Sequence, residues 1–270
     1  MSGGTMPFLP RRAAHPGAPA RETAAGGPPR GEAGFVHSIL YDARNRERGL
    51  LMSVRMAGDP VRCPYGEHPE TWHRGGAQRP TAVELLQRAI PRLPELRGGQ
   101  GLELTGGEPL AQPAFTASAL ALFSAAGVRT VLRTSGQVPA SLPLSVLDAA
   151  DEVFLDLHTP DERSSWALHH RKAGPALAFA RRAAAHGVPL RLSYLLVPGV
   201  TDAPGAVDAA ARLATELGCP VEVRPCRPRR RDSYQELNLT PPPVPAKAPA
   251  PTALAAARAR FAGAGLEVAA

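Results

Sequence analysis

The sequence predicts an α/β fold, a partial or complete parallel β/α barrel of the TIM-like kind. Three observations carry this expectation. Short apolar strand signals alternate with helical ones about six times, the rhythm of a parallel sheet with helical crossovers. Three helical runs close on a glycine, at Gly127, Gly187 and Gly218, the residue that most readily takes the left-handed turn ending a helix. Glycine, proline and polar residues gather where each strand signal stops, and in a barrel those strand ends carry the chemistry.

Taken in order, residues 1–33 hold proline, glycine, alanine and arginine with almost no large apolar side chain, and are expected to form a disordered tail. Order begins at Gly34-Phe35-Val36-His37-Ser38. Residues 50–56 read as a strand. Residues 81–96 have helical spacing that Pro91 and Pro94 must bend or end, because proline lacks the amide hydrogen of the helix ladder. A strand over 101–105 stops at Gly106-Gly107, and an apolar helix follows over 114–126. Then come a strand over 128–133, a short helix over 142–150 and a strand over 153–157. A helix over 175–186 leads to a strand over 189–197 that stops at Pro198-Gly199. A helix over 206–217 and a strand over 220–224 complete the rhythm. A proline-rich stretch over 241–251 precedes a final helix over 252–262 and a last strand near 266–268. The expected division is a tail over 1–33, a barrel over 34–238, and a linker with a C-terminal helix over 239–270.

The chain has 270 residues and a formal net charge of +7. Lysine occurs only at positions 172 and 247, so arginine carries nearly all of the positive charge. With the alanine and proline bias, this reads as base composition rather than as a nucleic-acid surface. The densest patch, Arg227-Pro228-Arg229-Arg230-Arg231, has no interleaved aromatic residues, which a single-strand platform would need. Nucleic acid is therefore not an expected partner. No apolar run reaches the length of a membrane span, and the N-terminus lacks the apolar stretch of a secretory signal. The cytoplasm is the expected location. The three cysteines, Cys63, Cys219 and Cys226, are too few and odd in number for a disulfide framework.

The strand ends carry the loop over 58–70, Gly106-Gly107-Glu108-Pro109, Thr134-Ser135-Gly136, His158, Pro198-Gly199 and Pro225-Cys226-Arg227. Taken together these elements, with Gly34-Phe35-Val36-His37-Ser38-Ile39, resemble the pyruvate formate-lyase (glycyl-radical enzyme) activating enzymes of the radical S-adenosylmethionine superfamily. Gly58-Asp59-Pro60-Val61-Arg62-Cys63-Pro64-Tyr65-Gly66-Glu67-His68-Pro69-Glu70-Thr71-Trp72 is similar to that family's cluster loop. Thr105-Gly106-Gly107-Glu108-Pro109 is similar to its GGEP element, and Val197-Pro198-Gly199-Val200-Thr201-Asp202 to its VPGxTD element. The resemblance extends over about 34–238 and rests on the order of the motifs, since each alone is a common turn.

The resemblance implies a [4Fe–4S] cluster held by a CxxxCxxC loop, S-adenosylmethionine on its open iron, and a glycyl-radical enzyme as partner. It also implies a cofactor-binding set of Tyr65, Gly106, Gly107, Glu108, Pro109 and Ser135. The three cluster positions are Asp59, Cys63 and Gly66, so only the middle cysteine remains. Other departures reverse charge. Arg46 and Arg133 stand where acidic residues are usual, Ser193 where an arginine is usual, and His158 where a lysine is usual. Cys226 and Arg227 fall on a position that usually ends in histidine.

Three readings stay open at this point. The first is a pseudoenzyme without a stable cluster that binds a ligand or a protein, a glycyl-radical-type enzyme or another. Arg46, Arg48, Arg133 and Arg227 would give it a cationic mouth suited to an anion. The second is an active radical enzyme with an altered ligand set, Asp59 and Cys63 joined by Cys226. The third is a mononuclear metal site drawn from Asp59, Cys63, His68, His158 and Cys226. Cys219 lies at the opposite end of its strand and reads as a small core residue.

Overall fold

The computed structural model describes residues 32–43, 49–63, 68–157, 159–227, 231–240 and 248–269. Most of the expected tail over 1–33 lies outside these residues, as do Arg46, Arg48, Tyr65, Gly66 and His158.

Among the described residues, eight strands form one sheet in chain order. They are β1 (Val36–Asp42), β2 (Leu51–Met56), β3 (Gly101–Gly106), β4 (Thr130–Thr134), β5 (Glu152–Leu157), β6 (Leu190–Leu196), β7 (Val221–Pro225) and β8 (Val268–Ala269). β1 pairs antiparallel with β2, and every later pairing is parallel. β1 and β8 remain at the two edges of this order, so the barrel is partial.

The crossovers are helical. α1 (Ala82–Ala89) and α2 (Leu93–Arg97) lie between β2 and β3, separated by a 3-10 turn at Ile90–Arg92. The expected single helix over 81–96 is thus two short ones, with Pro91 in the intervening turn and Pro94 in the first turn of α2. Thr81 starts α1 with a capping box: its hydroxyl accepts from the Glu84 amide at 3.2 Å while Glu84 accepts from the Thr81 amide at 2.7 Å. α3 (Pro113–Ala125) joins β3 to β4. The expected helix over 142–150 is only a 3-10 turn, Leu144–Leu147. α4 (Glu162–His169) and α5 (Gly174–His186) follow β5, and α6 (Pro204–Leu217) follows β6. α7 (Arg231–Glu236) and α8 (Pro251–Gly263) follow β7. α8 packs on α6 and β7, and β8 pairs with β7 through Val221↔Val268.

Strand side chains alternate between two faces. The outward set, including Met52, Val54, Leu102, Leu104, Leu132, Leu155, Leu192 and Leu196, is fully buried under the helices. Burying each such side chain contributes roughly 1.5–3 kcal/mol. The inward set carries two charged layers. Toward the N-terminal ends of the strands, Glu152 is completely buried between Arg129 and Arg191, with Arg191 Nε donating at 2.8 Å. One step toward the C-terminal ends, Arg133 reaches Asp156 at 2.9 Å, Glu103 at 3.2 Å and Glu222 at 3.7 Å. Arg224 Nη2 donates to the same Asp156 at 2.7 Å, and its Nε to Ser193 Oγ at 2.7 Å. The Phe154 ring lies 4.5 Å from the Arg133 guanidinium and 5.4 Å from that of Arg191, a cation–π spacer between the two layers.

Candidate functional site

The C-terminal strand ends surround a cavity of about 520 Å³. Its walls include Asp59, Cys63, Trp72, Gly107, Ser135 and Arg224.

The loop after β2 is pinned at its base. The Gly58 amide donates to Thr71 O at 2.7 Å and the Asp59 amide to Trp72 O at 3.2 Å. Asp59 Oδ1 accepts from the Val61 amide at 2.8 Å. Burial pushes the Asp59 carboxyl above the usual carboxylate range, against the opposing pull of backbone donors, Arg62 and Arg171. Cys63 is half-buried and packs on a small apolar cluster of Val197 and Cys226, the latter 1% exposed. Further along the loop, His68 Nδ1 donates to Glu70 Oε1 at 2.8 Å.

Gly106 and Gly107 bring the end of β3 against this loop. Gly106 has φ +96°, and a Cβ there would lie 2.7 Å from the Met56 amide nitrogen. A Cβ on Gly107 would lie 2.6 Å from Gly58 O. Only glycine fits this approach of backbone to backbone. The Gly107 and Glu108 amides donate to Met56 O and Gly58 O, each at 2.9 Å.

Glu108 is 1% exposed. Oε1 accepts from Thr134 Oγ1 at 2.7 Å and the Leu110 amide at 3.0 Å. Oε2 accepts from Ser135 Oγ at 2.6 Å and the Ser135 amide at 2.9 Å. Burial still moves its pKa upward, outweighing those four donors. The carboxylate ties the end of β3 to the end of β4. Pro109 is buried at the start of a 3-10 turn beside it.

The network of Glu103, Arg133, Asp156, Glu222 and Arg224 forms the floor, and nothing in the sequence marks it as a unit. Burial opposes the Arg133 charge, but Asp156, Glu103 and Glu222 outweigh it and raise its pKa. Arg133 therefore does not supply the cationic mouth that its position in the sequence suggested, because three carboxylates surround its charge. Arg227 is exposed on the rim of the cavity. Among the described residues no group of three His, Cys, Asp or Glu side chains is placed to hold a metal ion. Asp59, Cys63, His68 and Cys226 thus form no such site by themselves. Among the same residues no helix is long and apolar enough to cross a membrane.

The family model for the Radical SAM superfamily matches residues 60–209, more than half of the chain and most of the barrel. The chain belongs to the radical SAM superfamily. Within it, this radical SAM protein is similar to the activating enzymes that its strand-end motifs resemble. It is 27% identical over 209 residues to the pyruvate formate-lyase-activating enzyme of Clostridium pasteurianum, spanning 76% of this chain and 87% of the relative. It is 25% identical over 192 residues to the pyruvate formate-lyase 1-activating enzyme of Escherichia coli K12, spanning 68% and 76%. The fold is shared with a radical SAM methyltransferase from Sphaerobacter thermophilus (TM-score 0.58, 18% identity, 82% of this chain and 65% of that one). It is also shared with QueE from Escherichia coli (TM-score 0.53, 11% identity, 87% and 92%). The radical SAM family works with a [4Fe–4S] cluster and S-adenosylmethionine.

Proposed function

We propose that this chain is an activase-like radical SAM protein that has lost its cluster and acts by binding, a pseudoenzyme rather than a radical generator. The observation that carries this reading is the fate of the three cluster positions. Asp59 offers a carboxylate in place of a thiolate, its Oδ1 already held by the Val61 amide at 2.8 Å. A carboxylate is a harder donor than thiolate and suits an iron–sulfur cluster less well. Cys63 packs on the small apolar cluster of Val197 and Cys226. Gly66 has no side chain to donate. This donor set does not fit a cuboidal cluster that needs three thiolates.

The retained parts serve architecture or binding. Gly107 and Glu108 knit β3 to the neighbouring loop, and Glu108 ties it to β4, through their own hydrogen bonds. Ser135, Trp72, Arg224 and Arg227 remain on the cavity wall, and a protein or small-molecule ligand would meet them there. The placement of Cys63 and Cys226 in one cluster favours the altered-ligand enzyme as the second reading.

Anaerobic reconstitution with iron and sulfide, followed by metal analysis and an absorption spectrum, tests the proposal. The expected result is no stoichiometric cluster and no 5′-deoxyadenosine from S-adenosylmethionine under reduction. A stoichiometric signal that disappears in Cys63→Ala would overturn it. Loss of that signal in Cys226→Ala as well would establish the second reading.

A further inference from the structure

β2 and β7 stand far apart in the sheet order, yet the segments that leave them meet across the open side of the barrel. Trp72, at the end of the β2 loop, makes an edge-on contact with Tyr234 of α7, ring centroids 5.8 Å apart at 87°. Tyr234 is completely buried. In the same seam, Cys63 from the β2 loop packs on the cluster formed by Val197 and Cys226, and Cys226 directly follows β7. The two thiols differ in access: Cys63 is half-buried and Cys226 is 1% exposed. An accessible thiol beside a buried one is the arrangement of an attacking and a resolving cysteine.

We propose that Cys63 and Cys226 form a reversible disulfide that fastens the β2 loop to the end of β7 and locks the barrel mouth, with a peroxide as oxidant. The Cys63 thiolate attacks one peroxide oxygen, the O–O bond breaks, and water leaves as Cys63 becomes a sulfenic acid. Cys226 then attacks that sulfur, an S–S bond replaces the S–O bond, and a second water carries away the hydroxyl. Two thiols lose two electrons and two protons, and one peroxide gains them. The bond requires Cα atoms within about 7 Å of each other, which a shared side-chain cluster makes attainable. Cys219 is a control within the same chain: it is buried at the other end of β7, where burial pushes its thiol up to about 11.

The inference rests on the reading that Cys63 holds no iron, so iron is measured first on the protein as purified. The protein is then reduced, stripped with a chelator, treated with hydrogen peroxide, alkylated and digested without reduction. Mass spectrometry is expected to find a peptide pair joining Cys63 to Cys226, abolished by dithiothreitol, with Cys219 alkylated. Cys226→Ser is expected to lose the cross-link and leave Cys63 as a sulfenic or higher acid. Recovery of Cys63 and Cys226 on separate, individually modified peptides would overturn the proposal, and because this is read on the native chain it does not depend on a variant folding. In the oxidised form, amide exchange over 57–63 and 231–236 is expected to slow; unchanged exchange would remove the locking role. Absence of iron together with absence of the cross-link defeats this inference alone, whereas bound stoichiometric iron defeats the functional reading.

Discussion

His169, in the last turn of α4, is 7% exposed. Burial lowers its pKa to about 4, with help from Arg171 and His170. In the unfolded chain the imidazole returns to its ordinary 6.5, so below that pH the unfolded state takes up a proton that the folded state refuses. The stability tied to this group is complete above pH 6.5 and drains away as pH falls toward 4. Discounted for partial screening, it amounts to on the order of 1–2 kcal/mol. His169→Gln is therefore expected to show a smaller fall in urea midpoint between about pH 7.5 and about pH 5 than the native chain. Parallel falls in the two proteins would assign the acid limb to other groups. Glu108 has the opposite sign, since burial raises its pKa, and it favours the folded state more as the pH drops through the carboxylate range.

Between elements, the floor network does what apolar layers do in most barrels. Arg133 on β4 is 16% exposed and ties together Glu103 of β3, Asp156 of β5 and Glu222 of β7. Removing this cation leaves Glu103 without its arginine and Asp156 and Glu222 with Arg224 alone. Arg133→Gln is expected to cost about 3–5 kcal/mol. The double variant Arg133→Gln with Glu103→Gln is expected to be less destabilised than the sum of its single changes, because Glu103 no longer needs the missing partner. Strict additivity in denaturant midpoints would show that the pair is not coupled. This network also marks where sequence reading stops. Glu103, Arg133, Asp156, Glu222 and Arg224 lie at alternate strand positions, and that pattern reads equally as a solvent-facing strand. Only the curvature of the sheet turns that face inward. The parallel strands themselves are legible because their outward faces are so regularly apolar. β1 is not, because Val36 is its one fully buried residue and its large apolar Leu40 and Tyr41 are exposed. The short helix expected over 142–150 tightens to a 3-10 turn after Pro143, while α4 has no apolar stripe to announce it, although Asp161 caps it by accepting from the Ser164 amide at 2.7 Å. In the site, Glu108 and Ser135 can be named as residues of one motif set, but nothing in sequence says that they bond to each other.

At the scale of the molecule, the question is whether the residues beyond the proline-rich stretch behave as a separate unit. Phe261 of α8 is completely buried and meets Tyr194 of β6 edge-on, centroids 5.5 Å apart. Tyr194 is itself completely buried, and its hydroxyl donates to Thr201 O at 2.7 Å. Thr201 in turn donates to Leu195 O and accepts from the Val197 amide, so α8 is packed against the wall that carries the Val197–Cys226 cluster. Cutting Phe261 to alanine removes most of a ring from a closed site, at a cost of about 3–5 kcal/mol. Trp72 sits across the seam at the mouth, in the β2 loop and not in α8, and its fluorescence reports on the barrel, with Trp166 of α4 changed to phenylalanine to remove the other indole. If barrel and C-terminal helix unfold as one, Phe261→Ala is expected to lower the transition seen by Trp72 fluorescence and by far-ultraviolet circular dichroism equally. If α8 were an independent appendage, the Trp72 transition would stay at its native midpoint while only a fraction of the helical signal melted early. The pairing of β8 with β7 and the burial of Phe261 under α6 and β6 favour the single transition, because neither surface would be closed without the other.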